Sequence, residues 1–459
     1  MTAAGSDASD ASDASKAIER GQRAIGVVVT GDNHLSPALP RLAPLRRAER
    51  RARLRAGFSA AVDYAITRAA RLFINTGDLF DTPTPANQDR AFVAGELARL
   101  RSAGITCVAI GGNHDTPRLA TESGGEAPQR IYAELGALTY FPRNDALAPC
   151  VFQFDGLRLA VVGLSNNPVA PPGSDPLAGI ALDDPDDTLA QADVGLLVLH
   201  SAIEGLCRPN EGERIVTHTS LAALPPMLRV VVAGHIHRYA RDTFNGRGVI
   251  VVGASERMEF GGASGHAGFT WLTLDRSGLV SAEHIRTPEQ PRADLIIPTS
   301  RLWPATSATS TSSATRAPRS ADLLDVIRAD VSAACTPETI TRLRLTGPLT
   351  REQYHLLALR DILAEGQRQA FSFDLDTSGL RLIAPALPGR PAQRDGAGQI
   401  SPLHEIERLV EERIVAGADT DAIDLHAAAA LLIARLRTAD RGAEADGVEA
   451  DGADKESER

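Results

Sequence analysis

At 459 residues, with 43% hydrophobic and 23% charged side chains, the chain has the make-up of an ordinary globular protein and is long enough for two or three domains. Cys107, Cys150, Cys207 and Cys335 are scattered, with no CxxC spacing, which disfavours a disulfide framework and a structural zinc site and points to a reducing, cytoplasmic setting. No segment has the length and apolar character of a bilayer span or a secretory h-region, and the net charge of −10 argues against a uniformly basic nucleic-acid binder.

Residues 1–22 are rich in Ala, Ser and Asp and are expected to be disordered. Residues 23–290 alternate strand-like and helix-like stretches, as an α/β domain does. Five apolar runs, IGVVV, RLFIN, ITCVAI, VGLLVLH and RVVVA, read as buried strands. GVIVVGAS, GFTWLTLD and LVSAEHIRT predict an antiparallel run that closes a sheet. Residues 291–320, with PATSATSTSSATRAPRS at their centre, read as a Ser/Thr-rich linker.

A smaller α+β unit is expected over 321–384. DLLDVIRADVSAA is helical in pattern, TRLRLTG and FSFDLD alternate as half-buried strands, and a capping box of Thr350 and Gln353 opens a helix over REQYHLLALRDILAEG. Residues 385–400 form a second linker. Ser401-Pro402 then starts a helix whose Leu403, Ile406, Leu409, Val410 and Ile414 recur at helical spacing, and a second helix follows to about Leu436. This 401–437 hairpin either docks a partner or folds back onto the body. The 438–459 tail, with eight acids and three bases, is acidic and expected to be disordered.

A short polar motif follows each of the five strand-like runs: Asp32-Asn33-His34, GDLFD at Gly77–Asp81, GNHD at Gly112–Asp115, Leu199-His200 and GHIH at Gly234–His237. Five of the chain's 11 histidines lie in them. Strand ends are where a layered α/β scaffold presents side chains to a site. Hydrolysis of a phosphodiester is assisted by two divalent cations, which need hard O and N ligands and a bridging carboxylate. Asp32 and His34, two apart in an extended segment, would point the same way, as would His235 and His237. The assignment is Asp32, His34, Asp78 and His237 for one metal, and Asp78, Asn113, His200 and His235 for the other. His114 is the candidate for protonating the leaving oxygen, with Asp81 to fix its tautomer; a turn cap alone is the alternative role for Asp81.

This constellation resembles the calcineurin-like metallophosphoesterases over residues 24–260. The resemblance implies a four-layer α-β-β-α sandwich and two divalent metal ions, Mn²⁺ foremost, with Fe or Zn as alternatives. Within that superfamily GDLFDTPTP, GNHDTPRLA and GASERMEF look like segments of the SbcD-type DNA-repair nucleases. That likeness implies a homodimeric 3′–5′ exonuclease or endonuclease subunit in which a metal-bridging water attacks phosphorus. It also implies that the 321–384 unit caps DNA and that the 401–437 hairpin docks an SbcC-like coiled-coil ATPase. The basic segment RLAPLRRAERRARLR at 41–55 would then place Arg46, Arg47, Arg50 and Arg51 near DNA, with Arg118 and Arg257 as further contacts. A merely solvated helix is the alternative. A small-molecule phosphodiesterase or phosphatase of the same superfamily needs only the core motifs; a non-catalytic clamp would not need an intact ligand set.

Overall fold

The computed structural model describes residues 24–119, 121, 125–143, 146–207, 212–258, 260, 265–303 and 319–383. The 401–437 hairpin, the 385–400 linker and both terminal tails lie outside the described residues.

The chain enters through β1 (Ile25–Thr30), α1 (Pro44–Thr67), β2 (Leu72–Asn75), α2 (Asn87–Ser102), β3 (Thr106–Ile110), α3 (Gln129–Glu134) and β4 (Thr139–Phe141). It continues through β5 (Cys150–Phe154), β6 (Leu157–Leu164), β7 (Val194–His200), α4 (His218–Ala223), β8 (Leu228–Gly234), β9 (Ala240–Phe244) and β10 (Arg247–Val251). Strands β11 (Gly268–Asp275) and β12 (Gly278–Arg286) complete this part.

Two six-stranded sheets result, in the orders β12-β11-β1-β2-β3-β4 and β9-β10-β8-β7-β6-β5. The central strands of each run parallel, and β11 and β12 lie antiparallel at one edge of the first sheet. The second sheet carries antiparallel β9 and β5 at its two edges.

The apolar runs are continuous because these strands are covered on both faces. Alternate residues of β1 show it: Val27 and Val29 join the core between the sheets with Ile74, Val108, Leu196 and Val232, whereas Val28 turns outward to meet Phe58 and Leu97 of α1 and α2. The outward residues of the second sheet, among them Val162, Leu197 and Val231, pack against Leu221 of α4 and flanking loops. The order is therefore helix, sheet, sheet, helix, an α/β four-layer sandwich. Each fully buried Val, Leu or Ile contributes roughly 1.5–3 kcal/mol. Cys107, buried in the outer core, is a free thiol whose pKa burial pushes up to about 12.

Three local expectations fail. GVIVVGAS does not join the antiparallel closure: β10 pairs parallel with β8 in the second sheet, and only β11 and β12 close the first. Residues 292–298 are not linker but β13 (Arg292–Pro298), followed by the one-turn α5 (Thr299–Leu302). Their apolar run is too short to stand out beside a Ser/Thr-rich stretch, and its partner in parallel register is β14 (Ile340–Leu349), more than 40 residues on. The helix after Thr350 also breaks. The capping box forms, with Gln353 N donating to Thr350 Oγ1 at 3.3 Å and Thr350 N to Gln353 Oε1 at 2.8 Å. Ala358 then turns left-handed (φ 45°) between α7 (Arg351–Leu356) and α8 (Leu359–Gln369), so that Leu357 and Ile362 both reach the core.

This second unit is a three-stranded sheet, β13-β14-β15 (Ser372–Leu382), under α6 (Ser320–Ala334) and α8. Much of the seam between it and the sandwich is made by α1 and the loop before it. Arg41 pairs with Asp374 at 2.7 Å, Arg53 with Glu338 at 3.0 Å, and Arg46 donates to the Ala370 carbonyl while lying over the Phe371 ring.

Candidate metal centre

Asp32, Asn33 and His34 follow β1, Asp78 follows β2, Asn113 and His114 follow β3, His200 ends β7, and His235 and His237 follow β8. The first three strands belong to one sheet and the last two to the other, so the motifs meet where both sheets end.

The chain is not extended there. Asp32 (φ 47°), His34 (φ 45°), Asp78 (φ 48°) and His235 (φ 89°) all have positive φ, so the expected i, i+2 alignment of an extended segment is not what aims them. Backbone bonds hold the bends instead. Asp32 N donates to Gly77 O at 3.1 Å, His34 N to Asp78 O at 3.0 Å, and His235 N to both Asp32 carboxylate oxygens at 3.0 Å. Left-handed non-glycine residues cost of order 1–3 kcal/mol each and persist where their surroundings over-determine them. Close approach is equally strict: a Cβ on Gly112 would stand 2.1 Å from Asp78 Oδ1.

The side chains fall into two overlapping groups. In the first, His34 Nε2 stands 3.1 Å from His237 Nε2 and 3.9 Å from Asp78 Oδ2, and His237 Nε2 is 3.9 Å from Asp32 Oδ1. In the second, His200 Nε2 is 3.2 Å from Asp78 Oδ2 and 2.9 Å from Asn113 Oδ1, while His235 Nδ1 is 2.8 Å from the same Asn113 oxygen. Asp78 lies within reach of both. Asp32, His34 and His237 form one cluster able to hold a metal ion, and Asp32, Asp78 and His200 form another.

The tautomers support a cation. His200 Nδ1 faces the Thr76 carbonyl at 2.8 Å, so it carries the proton and Nε2 is left with a lone pair. His34 Nδ1 likewise donates to Asp81 Oδ1 at 3.0 Å. Lone pairs, carboxylate oxygens and an amide oxygen then converge with few protons to share between them. Asp32 and Asp78 are 0% and 1% exposed, and such a cluster demands positive charge. Burial alone would raise the Asp78 pKa, yet the charge of His200 holds it well below the usual carboxylate range. Burial works against a proton on His200 too, but Asp78 draws its pKa up to about 10. Groups that favour a proton so strongly favour a divalent cation in its place. The O and N donor set, without thiolate, suits Mn²⁺, Fe or Zn.

Asp81 accepts from two rings. Its Oδ1 is 3.0 Å from His34 Nδ1 and 3.3 Å from His114 Nδ1, and despite partial burial these bonds bring its pKa down to about 2. It therefore steadies His34 as closely as His114. The His114 ring is 46% exposed at the mouth of the site, with a pKa raised first by its bond to Asp81.

Three supports were not singled out in the sequence. Asp115, fully buried, accepts from Gly112 N at 2.7 Å and from Phe80 N at 3.3 Å, tying the Asn113–His114 turn to the loop after β2. Burial and the nearby Asp78 charge push its pKa up to about 6. Its place at the end of GNHD, three residues after the amide it accepts from, was the signal. Asn33 bonds to Ser255 Oγ at 2.8 Å and accepts from Asn75 Nδ2 at 2.9 Å behind the ligands. Glu213 Oε1 stands 2.5 Å from His235 Nε2, the ring nitrogen opposite Asn113. No spacing announces it, since it is 22 residues from that histidine in a polar stretch.

The arginines proposed for DNA mostly turn elsewhere. Arg50 is buried, pairing with Glu256 at 3.2 Å and donating to Gln290 Oε1 and the Arg257 carbonyl. Arg51 donates to Pro37 O, Arg47 to Leu42 O and Arg46 to Ala370 O. Arg257 is half-buried, its carbonyl accepting from Arg292 as well. Arg118 is exposed on the loop after GNHD. The basic character of 41–55 serves chiefly to fasten α1 to its neighbours.

A cleft lined by Asp, Asn and His side chains able to hold metal ions, at the strand ends of a two-sheet sandwich, defines the class. The chain carries a calcineurin-like phosphoesterase domain, with residues 25–239 matching that family. Among individual proteins, it is 25% identical over 202 residues to the DNA double-strand break repair protein Mre11 of Sulfolobus acidocaldarius, covering 43% of this chain and 47% of that protein. It is 36% identical over 88 residues to Mre11 of Sulfurisphaera tokodaii, covering 19% and 22%. To Mre11 of Methanopyrus kandleri it is 24% identical over 315 residues, covering 66% and 65%. The chain thus spans less than two-thirds of the length of each of these relatives.

Proposed function

We propose that this chain is a two-metal phosphodiesterase that cuts DNA, the nuclease subunit of a double-strand-break repair complex. The observation that carries the hydrolytic reading is the convergence of Asp32, His34, Asp78, Asn113, His200, His235 and His237 in two overlapping groups with Asp78 in reach of both. What favours DNA over a small diester is the similarity to the Mre11 proteins, which extends to 315 residues and so beyond the phosphoesterase domain into the α+β unit.

Asp32, His34, Asp78 and His237 would hold one cation, and Asp78, Asn113, His200 and His235 the other. When bound, the cations neutralise the phosphoryl oxygens and lower the pKa of a water. The chain's own part is to aim these ligands through the bonded bends at Asp32, His34 and Asp78, and to keep His200 in the tautomer that Thr76 dictates. His114, on the open side and bonded to Asp81, supplies a proton to the leaving oxygen. The α+β unit, fastened to α1, lines up duplex against the cleft. An SbcC-like ATPase binds through the C-terminal hairpin.

End-labelled linear DNA incubated with Mn²⁺ and the purified protein tests this. Shortened products from the wild type, and none from Asp78→Ala, are expected. Intact DNA with bis-p-nitrophenyl phosphate still hydrolysed would replace the reading with a small-molecule phosphodiesterase.

A further inference from the structure

Beside the metal centre lies a cavity of about 200 Å³, whose walls include His200, Ser201, Asn166, Asn167, Ile180 and Arg214. His200 belongs to both places: its Nε2 faces Asp78 and Asn113, while the residue lines the cavity. Arg214 is held in position by its backbone. Its carbonyl accepts from Ser201 Oγ at 3.1 Å, and the short parallel pairing of Ala202–Ile203 with Ile215–Val216 begins at the next residue.

The Arg214 guanidinium is half-buried and lacks an ion-pair partner among the described residues. Among the described residues it makes one bond, Nη1 to the Asn167 carbonyl at 3.2 Å, and its buried Nε meets no acceptor. The nearby acid, Asp175, is taken up by Leu177 N, Thr217 N and Thr217 Oγ1 at 2.7–2.9 Å. Contrast the other buried arginine near the site, Arg50, which meets Glu256. Asp175 acts on Arg214 only through space, burial of a guanidinium without a direct ion pair is costly, and its fork of donors fits phosphate oxygens.

We infer that this cavity is an anion subsite in which Arg214 receives a phosphate group beside the one being hydrolysed. The inference rests on the phosphodiesterase reading and narrows its substrate class to diesters that carry a second phosphate, as a nucleic-acid strand does. The side-chain amides of Asn166 and Asn167 in the cavity wall provide further donors. The same chemistry would accept free phosphate, so the test separates the two sources.

Wild type, Arg214→Gln and Arg214→Lys are compared with Mn²⁺ on a short single-stranded oligonucleotide and on bis-p-nitrophenyl phosphate, which has one phosphate. Inhibition of the second reaction by inorganic phosphate is measured alongside. Expected for Arg214→Gln is a KM for the oligonucleotide raised roughly tenfold or more, with kcat little changed and the single-phosphate reaction unaltered. Arg214→Lys should recover part of the loss, which a merely structural role would not predict. If the oligonucleotide KM holds but phosphate inhibits Arg214→Gln less well, the subsite takes free phosphate. If neither moves, or the single-phosphate reaction falls in step, the inference is overturned. A wild type that cleaves only the single-phosphate diester would sink the DNA reading, and the phosphate-inhibition arm would still decide the subsite.

Discussion

The two described parts of this chain use charge in opposite ways. In the sandwich, Asp32, His34, Asp78 and His200 are buried to 6% exposure or less and crowd together on bent backbone. In the α+β unit the sheet is regular: Leu343 and Leu345 enter the core, and Arg342 and Arg344, alternating with them, stay near the surface, both gripping Asp294 at 2.9 Å. The second arrangement satisfies itself, each charge meeting its opposite. The first does not, because like carboxylates and lone pairs face one another, and that imbalance is what a bound cation relieves. A protein tolerates such a conflict where chemistry requires it and avoids it elsewhere.

Removing a member of the crowded cluster should therefore act on function far more than on folding. Asp78→Asn is expected to bring hydrolysis down to the background of free Mn²⁺, with thermal unfolding close to wild type, because the amide keeps the side chain's shape and its oxygen can still accept from His114 N. A variant that melted early and kept its activity would erase the contrast. His114→Ala should lower kcat by about 10²–10⁴ with two metal ions still bound, as titration calorimetry would show. Loss of metal in that variant would move His114 from acid to ligand.

The opposite behaviour is expected of Arg50, a charge buried in the sandwich but paired. Arg50→Met leaves Glu256 alone, and unfolding experiments should find a loss of about 3–5 kcal/mol. The double variant Arg50→Met, Glu256→Leu should recover much of it. Glu213 lies between the two kinds. By fixing the tautomer of His235 it should set metal affinity without bearing on the fold. Glu213→Gln is expected to weaken binding of one Mn²⁺ by about 10- to 100-fold while the other is held as before. Equal weakening of both would show that Glu213 acts on the whole cleft.

The smallest effect belongs to the self-satisfied pair. Asp294 has a pKa lowered by its bond to Arg342, with burial opposing. A depressed carboxylate pKa stabilises the fold above the unfolded-state pKa, and that stability fades as pH falls through the folded value. Asp294→Asn should thus cost about 0.5–1 kcal/mol at neutral pH, and the difference from wild type should vanish in acid. A gap that persisted in acid would mean packing, not charge, ties β13 to β14.

Much of this was legible from composition and order. Short runs rich in β-branched Val and Ile, such as IGVVV and RVVVA, read as strands covered on both faces, which puts the polar residues just past them at the sheet ends. Thr350 and Gln353 announced a helix start because the cap is made from residues three apart. The failures share a cause. The linker boundary hid β13, since its partner lies more than 40 residues away and nothing local marks the pairing. Segment 41–55 suggested a phosphate-binding face, yet arginine count does not reveal that Glu256, Gln290, Pro37 and Ala370 come to meet it.

For the site, the sequence by itself determined which atoms are available: three buried-motif carboxylates, an amide and five imidazoles, all at strand ends. Only the tertiary structure decided how they are aimed. The left-handed bends at Asp32, His34 and Asp78 exist because backbone groups of neighbouring segments hold them, and Glu213 reaches His235, and Arg214 the neighbouring cavity, next to a two-residue ladder. Ligand identity follows from chemistry carried in each residue. Direction and partnership arise from contacts between distant segments, which no local pattern encodes.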